Sequence, residues 1–319
     1  MIVSVPETTD NVAEDLAATI EKAKKLGGHG VVTLNAAFYS AANSGTGAIV
    51  IDAGNDRNTT PYTIKGLGKD SATALMVGIL LANDNVTLDG VKIAVTDKAK
   101  AASVNNAYFG PLFIGRYNNG AYLTGENLAS RNVTVQNSNI TYNTNGSMAA
   151  GLFVMGGTAT ATSYPPEGIK ILNNTITAVN TSGSATQGIF IRDYGVGIEV
   201  TNNTISSSNT SSGTSDAPAS AILIQIHPES IASGDEPKIT DNTLQGDEFD
   251  FYVTVLYPGS GASTDNHTAL VNQLVSDKFG TEDSPERSPI PFTRSSSRRF
   301  CPNLRDKMET EASAAFSCP

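Results

Sequence analysis

Apolar and polar residues alternate in short runs along most of this chain, and the runs recur. Val86-Thr87-Leu88-Asp89-Gly90-Val91-Lys92-Ile93 is followed by Val133-Thr134-Val135-Gln136-Asn137-Ser138-Asn139-Ile140 and by Ile169-Lys170-Ile171-Leu172-Asn173-Asn174-Thr175-Ile176. Two more copies are Ile198-Glu199-Val200-Thr201-Asn202-Asn203-Thr204-Ile205 and Pro237-Lys238-Ile239-Thr240-Asp241-Asn242-Thr243-Leu244. Successive copies start 29 to 47 residues apart. In each, alternation holds for a few residues, Asn, Asp or Gly breaks it, and an apolar residue returns three places later. That is the period-2 signature of strand, sharp corner, strand. Asn and Asp suit the corner because they tolerate left-handed backbone and can hydrogen-bond their own main chain. Stacked in register, they are expected to bond to one another from unit to unit, as Asn ladders do in cross-β assemblies.

A second family of apolar triplets lies between these units: Leu112-Phe113-Ile114, Leu152-Phe153-Val154, Ile189-Phe190-Ile191 and Ile222-Leu223-Ile224. A fifth falls at Phe251-Tyr252-Val253, or near Tyr257 if the spacing is to stay even. No Asn-Gly or Gly-Gly connector of two residues joins neighbouring strands of the repeats, so hairpins are not expected. Winding the chain instead pairs each strand with its counterpart one circuit away. This gives parallel sheets around a continuous apolar column whose open ends need caps. Asn11-Val12-Ala13-Glu14 has the form of a helix start, and Val12, Leu16, Ile20 and Ala23 form an apolar stripe that stops at Gly27-Gly28. A helix there would cover the first circuit.

These units, with the helix and the strands Val31-Val32-Thr33-Leu34, Ile49-Val50-Ile51 and Tyr62-Thr63-Ile64, resemble the pectate-lyase-like superfamily over roughly residues 12–257. The resemblance implies an all-β fold, a right-handed parallel β-helix solenoid with an N-terminal capping α-helix. The expected organisation is a cap over 1–30, the β-helix over 31–276 and a tail over 277–319. The tail contains Ser284-Pro285-Glu286-Arg287-Ser288-Pro289 and Ser295-Ser296-Ser297-Arg298-Arg299, which reads as disordered or as a reading-frame artefact.

Composition adds limits. The chain has 319 residues, 16% charged, with 27 Asn, so much of its polar surface is uncharged. A net charge of −10 argues against nucleic acid as partner, since that affinity rests on Lys and Arg displacing counterions. No run approaches the roughly 18 apolar residues of a membrane helix. Met1-Ile2-Val3-Ser4-Val5-Pro6-Glu7 lacks the basic and apolar segments of a signal peptide, so an extracellular or cell-surface placement is expected from the resemblance alone. Cys301 and Cys318 both fall in the tail, away from any zinc-type spacing.

Candidate chemistry follows the second strand family. Just beyond its triplets stand Gly115-Arg116-Tyr117, Met155-Gly156, Arg192-Asp193-Tyr194 and Gln225-Ile226-His227. Equivalent positions on neighbouring circuits lie about 4.8 Å apart. Arg192, Asp193, Gln225 and His227 are therefore expected on one patch, with Arg116 and Tyr117 two circuits away and the Gly156 circuit leaving room between. Arg192, Asp193 and His227 have the character of acid–base residues; Arg116, Tyr117, Tyr194 and Gln225 that of sugar-binding ones. The bland alternative is a set of solvated strand ends.

The superfamily's catalytic patterns are otherwise incomplete. The carboxylate cluster of a calcium-assisted lyase is not visible, and calcium is expected only if the protein is a lyase. Gly28-His29-Gly30 matches one element of the polygalacturonase pattern by letter but precedes the first strand, where a helix-to-strand turn is the simpler reading. His267 sits in a polar turn without an assigned role. The expectation is a monomeric β-helix that binds a polysaccharide or cell-surface glycan or serves as an adhesin without turnover, and that needs no cofactor. The alternative is a lyase, hydrolase or epimerase acting on uronate-containing polysaccharide.

Overall fold

The computed structural model describes residues 1–255 except 9, 46, 105–107, 147, 160–161, 183–184, 194–195, 211–218, 227–237 and 248. Three parallel sheets dominate it. Sheet 1 stacks Ile2–Ser4, Gly30–Thr33, Tyr62–Lys65, Val86–Asp89, Thr134–Gln136, Lys170–Leu172, Glu199–Thr201 and Lys238–Thr240. Sheet 2 stacks Lys92–Val95, Asn139–Thr144, Thr175–Asn180, Thr204–Asn209 and Thr243–Gly246. Sheet 3 stacks Ile49–Ile51, Ile79–Leu81, Leu112–Ile114, Met148–Val154, Thr186–Arg192, Ala219–Ile226 and Phe249–Val255. From Val86 onward the chain visits sheets 1, 2 and 3 in turn, so strands adjacent in space belong to successive circuits. This arrangement is compatible with a parallel β-helix.

The repeats pair in the register their sequences suggest. Thr87, Thr134, Lys170, Glu199 and Lys238 are successive partners in sheet 1. Leu112, Leu152, Ile189, Ile222 and Phe251 are successive partners in sheet 3, which places the fifth triplet at Phe251 and not near Tyr257. Uneven spacing in the sequence is taken up by the loops. A one-residue slip would turn every inward side chain outward, so the apolar column fixes the register.

The corner between sheets 1 and 2 has one geometry throughout. Gly90, Asn137, Asn173, Asn202 and Asp241 have φ of 64°, 51°, 57°, 58° and 57°, the left-handed region. The next residue on each later circuit points inward and bonds along the stack. Ser138 N donates to Asn174 Oδ1 at 2.9 Å, Asn174 N to Asn203 Oδ1 at 2.9 Å, and Asn203 N to Asn242 Oδ1 at 2.9 Å. The side-chain amides of Asn174, Asn203 and Asn242 donate in turn to the carbonyls of Val135, Ile171 and Val200 at 2.9, 2.8 and 2.7 Å. Buried Asn side chains thus satisfy main-chain groups that the bend takes out of the sheets.

Inside, Ile93, Ile140, Ile176 and Ile205 stack as direct partners in sheet 2, all buried. They join one apolar cluster with Leu88, Val135, Ile171 and Val200 of sheet 1 and Ile114, Val154, Ile191 and Ile224 of sheet 3. Helix α1 (Val12–Lys25) starts at Asn11, whose side chain accepts from Ala13 N and Glu14 N, and buries Leu16, Thr19, Ile20 and Ala23 over the first circuit. A Cβ at Gly30 would lie 2.4 Å from Ala23 O, so only glycine allows this close seating.

Two elements lie outside the expectation from sequence. Ile2–Ser4 pairs with Val31–Thr33, so the first thirty residues supply a strand as well as a helix. Helix α2 (Ala36–Ser44) stands where later circuits place a sheet 2 strand; its alanine-rich sequence favours helix, and Phe38, Tyr39 and Ala42 form its buried face. The expected boundary at 276, the tail from 277 and both cysteines lie outside the described residues. Among the described residues, no helix is long and apolar enough to cross a membrane.

Candidate functional site

The candidate residues sit at the end of sheet 3 where the chain leaves for sheet 1. Arg192 closes the strand Thr186–Arg192, and Gln225 is its direct partner on the next circuit. These two share one edge of the sheet and are half-buried. Asp193 follows with φ 65° and a wholly buried side chain. Tyr194 and His227 lie outside the described residues, so their relation to Arg192 and Gln225 is untested.

Gly156 does not leave an open gap. A Cβ there would stand 2.0 Å from Arg192 O and 2.5 Å from Asp193 Cβ, so this glycine lets two backbones close on each other. The separation expected between the Arg116 and Arg192 ends is filled by main chain.

Arg116 is also buried, at 0% exposure. Its Nη1 donates to Asn127 O and Asn127 Oδ1, both at 3.3 Å, and its Nη2 to Asn55 O at 2.6 Å. Burial lowers its pKa, the nearby Arg57 lowers it further, and Asp84 and Asp56 pull it back up. Arg57 carries the adjoining contact: Nη1 reaches Asp84 Oδ2 at 2.9 Å and Nη2 reaches Glu126 O at 2.8 Å. Arg131 N donates to Asp84 Oδ1 at 2.9 Å. The two arginines therefore tie the loop after Ile49–Ile51 to the long loop after Leu112–Ile114, and the Arg116 guanidinium faces protein on all sides.

Tyr117 belongs to a two-stranded antiparallel ribbon, Tyr117–Asn118 with Ala121–Tyr122. Its ring meets that of Tyr122 edge-on, with centroids 5.4 Å apart at 83°. Tyr122 Oη donates to Ser103 O, and burial raises its pKa. This ribbon packs on the outward face of sheet 3 rather than standing clear of it.

That outward face forms a second core. Phe113, Phe153 and Phe190 stack with centroids 4.9 and 4.6 Å apart, and Tyr108 packs on Phe153 and Phe190 at 5.6 and 5.2 Å. Burial raises the Tyr108 pKa, and the positive charge of Arg192 offsets part of that rise. The strand Tyr108–Gly110, the Tyr117–Tyr122 ribbon and Leu128 cover Leu80, Phe113, Phe153 and Met155. The signal for this burial is in the sequence: Leu-Phe-Ile, Leu-Phe-Val and Ile-Phe-Ile do not alternate, as expected of strands buried on both faces.

The open sheet faces are elsewhere. On sheet 2, Asn139, Thr175, Thr204 and Thr243 form one outward row of direct partners, and Thr141, Thr177, Ser206 and Gln245 form the next. Ser206 Oγ donates to Thr177 Oγ1 at 3.1 Å along the second row. The first row begins at Lys92, the partner of Asn139, and Lys92 Nζ donates to Ser71 O at 2.8 Å; the second begins at Ala94. From Asn139 and Thr141 onward both rows are uncharged. On sheet 1 the outward row ends in charge, with Lys238 Nζ 2.9 Å and Lys170 Nζ 3.8 Å from the Glu199 carboxylate. The hydrogen bond from Lys238 holds the Glu199 carboxyl below its usual range against a smaller opposing effect of burial.

His29 occupies the turn between α1 and Gly30–Thr33, with Nε2 2.6 Å from Thr63 Oγ1. Among the described residues, no group of three or more His, Cys, Asp or Glu is placed to hold a metal ion. His267 lies outside the described residues. Comparison with known protein families, with curated proteins and with solved structures finds no match to this chain.

Proposed function

We propose that the chain is a right-handed parallel β-helix, similar in build to the pectate-lyase-like proteins, that binds glycans outside the cell without turning them over. The observation that carries this reading is the outward face of sheet 2. Beyond Lys92, its two rows set hydroxyl and amide groups about 4.8 Å apart across strands and roughly 6.7 Å apart along them. A rigid array of short donors and acceptors suits the hydroxyls of an extended, neutral polysaccharide, and short side chains lose little rotamer freedom when they bind. The burial of Arg116 and Asp193 supports binding over catalysis, because neither side chain reaches solvent where a substrate would lie.

The test is to incubate the protein with neutral and uronate-containing polysaccharides, with and without calcium, and to follow co-sedimentation, reducing ends and unsaturated-uronate absorbance. NMR of the product covers epimerisation. Co-sedimentation with unchanged polysaccharide is expected. Turnover that disappears in Asp193→Asn or His227→Ala would replace this reading with the uronate-active enzyme.

A further inference from the structure

The last turn of α1 meets the corner that follows Ile49–Ile51. There Lys24 Nζ lies 2.8 Å from Asp52 Oδ1, and both side chains are nearly closed off from water, at 14% and 11% exposure. The lysines that pair with Glu199 on sheet 1 are 51% and 62% exposed, so this pair is of another kind. It joins residues 28 apart in the sequence. Two further groups converge on it. A second carboxylate oxygen, Glu21 Oε1, stands 3.2 Å from the same Nζ. Tyr62, wholly buried, donates from Oη to the other carboxyl oxygen, Asp52 Oδ2, at 3.1 Å, and its ring flanks the amine with the centroid 5.4 Å from Nζ.

An amine and a carboxyl held in contact away from water are the two halves of an amide. Fixing them by the fold supplies in advance the entropy that a condensation between free molecules would lose. Keeping two charges out of water is costly, and passage of one proton from Lys24 Nζ to Asp52 Oδ1 leaves a neutral amine against a neutral carboxyl. The amine nitrogen then bonds to Cγ, giving up a proton to Glu21, while the Tyr62 hydroxyl stabilises the negative charge that develops on Oδ2. Glu21 returns its proton to Oδ1, the bond from Cγ to Oδ1 breaks, and that oxygen leaves as water. Of the three ammonium hydrogens, one ends on the amide and two on the water; no oxidant or co-reactant is needed. Burial and the charge of Asp52 raise the Tyr62 pKa, so its hydroxyl stays protonated and donates to Oδ2 throughout.

We propose that, once the chain has folded, Lys24 and Asp52 condense to an intramolecular isopeptide bond, with Glu21 carrying the proton and Tyr62 holding and polarising the carboxyl. The bond ties the end of α1 covalently to the segment between Ile49–Ile51 and Tyr62–Lys65. The proposal does not depend on glycan binding.

Mass spectrometry of the full chain, folded and then denatured, tests it. The wild type is expected to weigh one water molecule less than its sequence, with fragmentation joining Lys24 to Asp52. Lys24→Arg keeps the positive charge but loses the nucleophilic amine, and is expected at the full mass of its sequence. Glu21→Gln keeps both reacting groups and loses the proton carrier, and is expected to remain largely at full mass. Far-UV circular dichroism checks that each protein is folded. A folded wild type at full mass would overturn the proposal and leave Lys24 and Asp52 as an ion pair. So would a deficit that persists in Lys24→Arg, because the water would then have been lost elsewhere in the chain. A deficit undiminished in Glu21→Gln would overturn the role given to Glu21.

Discussion

Asn203 shows how much one side chain does at a corner. Its Oδ1 accepts from Asn174 N and its amide donates to Ile171 O, so an alanine there strands two main-chain groups on the preceding circuit. Asn203→Ala is expected to lower stability by about 1–3 kcal/mol in urea unfolding. The neighbouring Asn202 is exposed and is held at φ 58°. Asn202→Val should cost about 1–2 kcal/mol and Asn202→Gly much less, because only the β-branched residue clashes in left-handed backbone. Equal losses would show that the side chain, not the dihedral, sets the preference. Arg116→Ala removes the donor to Asn55 O and Asn127 O, and should destabilise by about 1–3 kcal/mol while leaving glycan affinity unchanged. Loss of affinity with unchanged stability would return Arg116 to a binding role. The burial of Arg116 is not legible in its own stretch of sequence, because its partners Asn55 and Asn127 come from loops brought together by the stacking. The corner Asn residues are legible, because their spacing from the strand repeats the same need for left-handed backbone.

At the scale of elements, alternation identified the strands of sheets 1 and 2 and their register, since one buried face leaves a period of two. Sheet 3 departs from it. Phe113, Phe153 and Phe190 make apolar runs without a break, and their outward face is closed by Tyr108 and by the ribbon carrying Tyr117 and Tyr122, segments remote in sequence from the strands they cover. Helix α2 escaped the strand pattern because the first circuit uses an alanine-rich stretch at that place. The Lys170, Glu199 and Lys238 row on sheet 1 gives a pH test. A carboxyl held below its usual range adds stability above its unfolded pKa, near 4, and loses it as pH falls through the folded value. Comparing wild type with Lys238→Met, the wild type should be more stable by about 0.2–1 kcal/mol at neutral pH. The difference should vanish at pH 2–3; urea midpoints across that range check it, and a difference that persists in acid would assign the effect to packing of the Lys238 stem.

For the whole molecule, the stack of circuits accounts for the low charge and abundant Asn together: corners use the Asn, and broad sheet faces carry Thr and Ser. The inner column joins every circuit, so Ile176→Ala, in the middle of the sheet 2 stack, should destabilise by about 2–5 kcal/mol in a single unfolding transition. Function is less legible than fold because hydroxyl rows arise wherever a strand shows a polar face, and only the three-dimensional register reveals which rows align. The most direct test of glycan binding by sheet 2 is the dissociation constant for a neutral polysaccharide that co-sediments with the wild-type protein. It should be measured for wild type, for Thr177→Val with Ser206→Ala, and for Thr87→Val with Thr134→Val on sheet 1. The sheet 2 variant should bind about tenfold more weakly, a loss of about 1.4 kcal/mol, with the sheet 1 variant unchanged. Equal affinity in all three, with the fold intact, would contradict the assignment of the binding face.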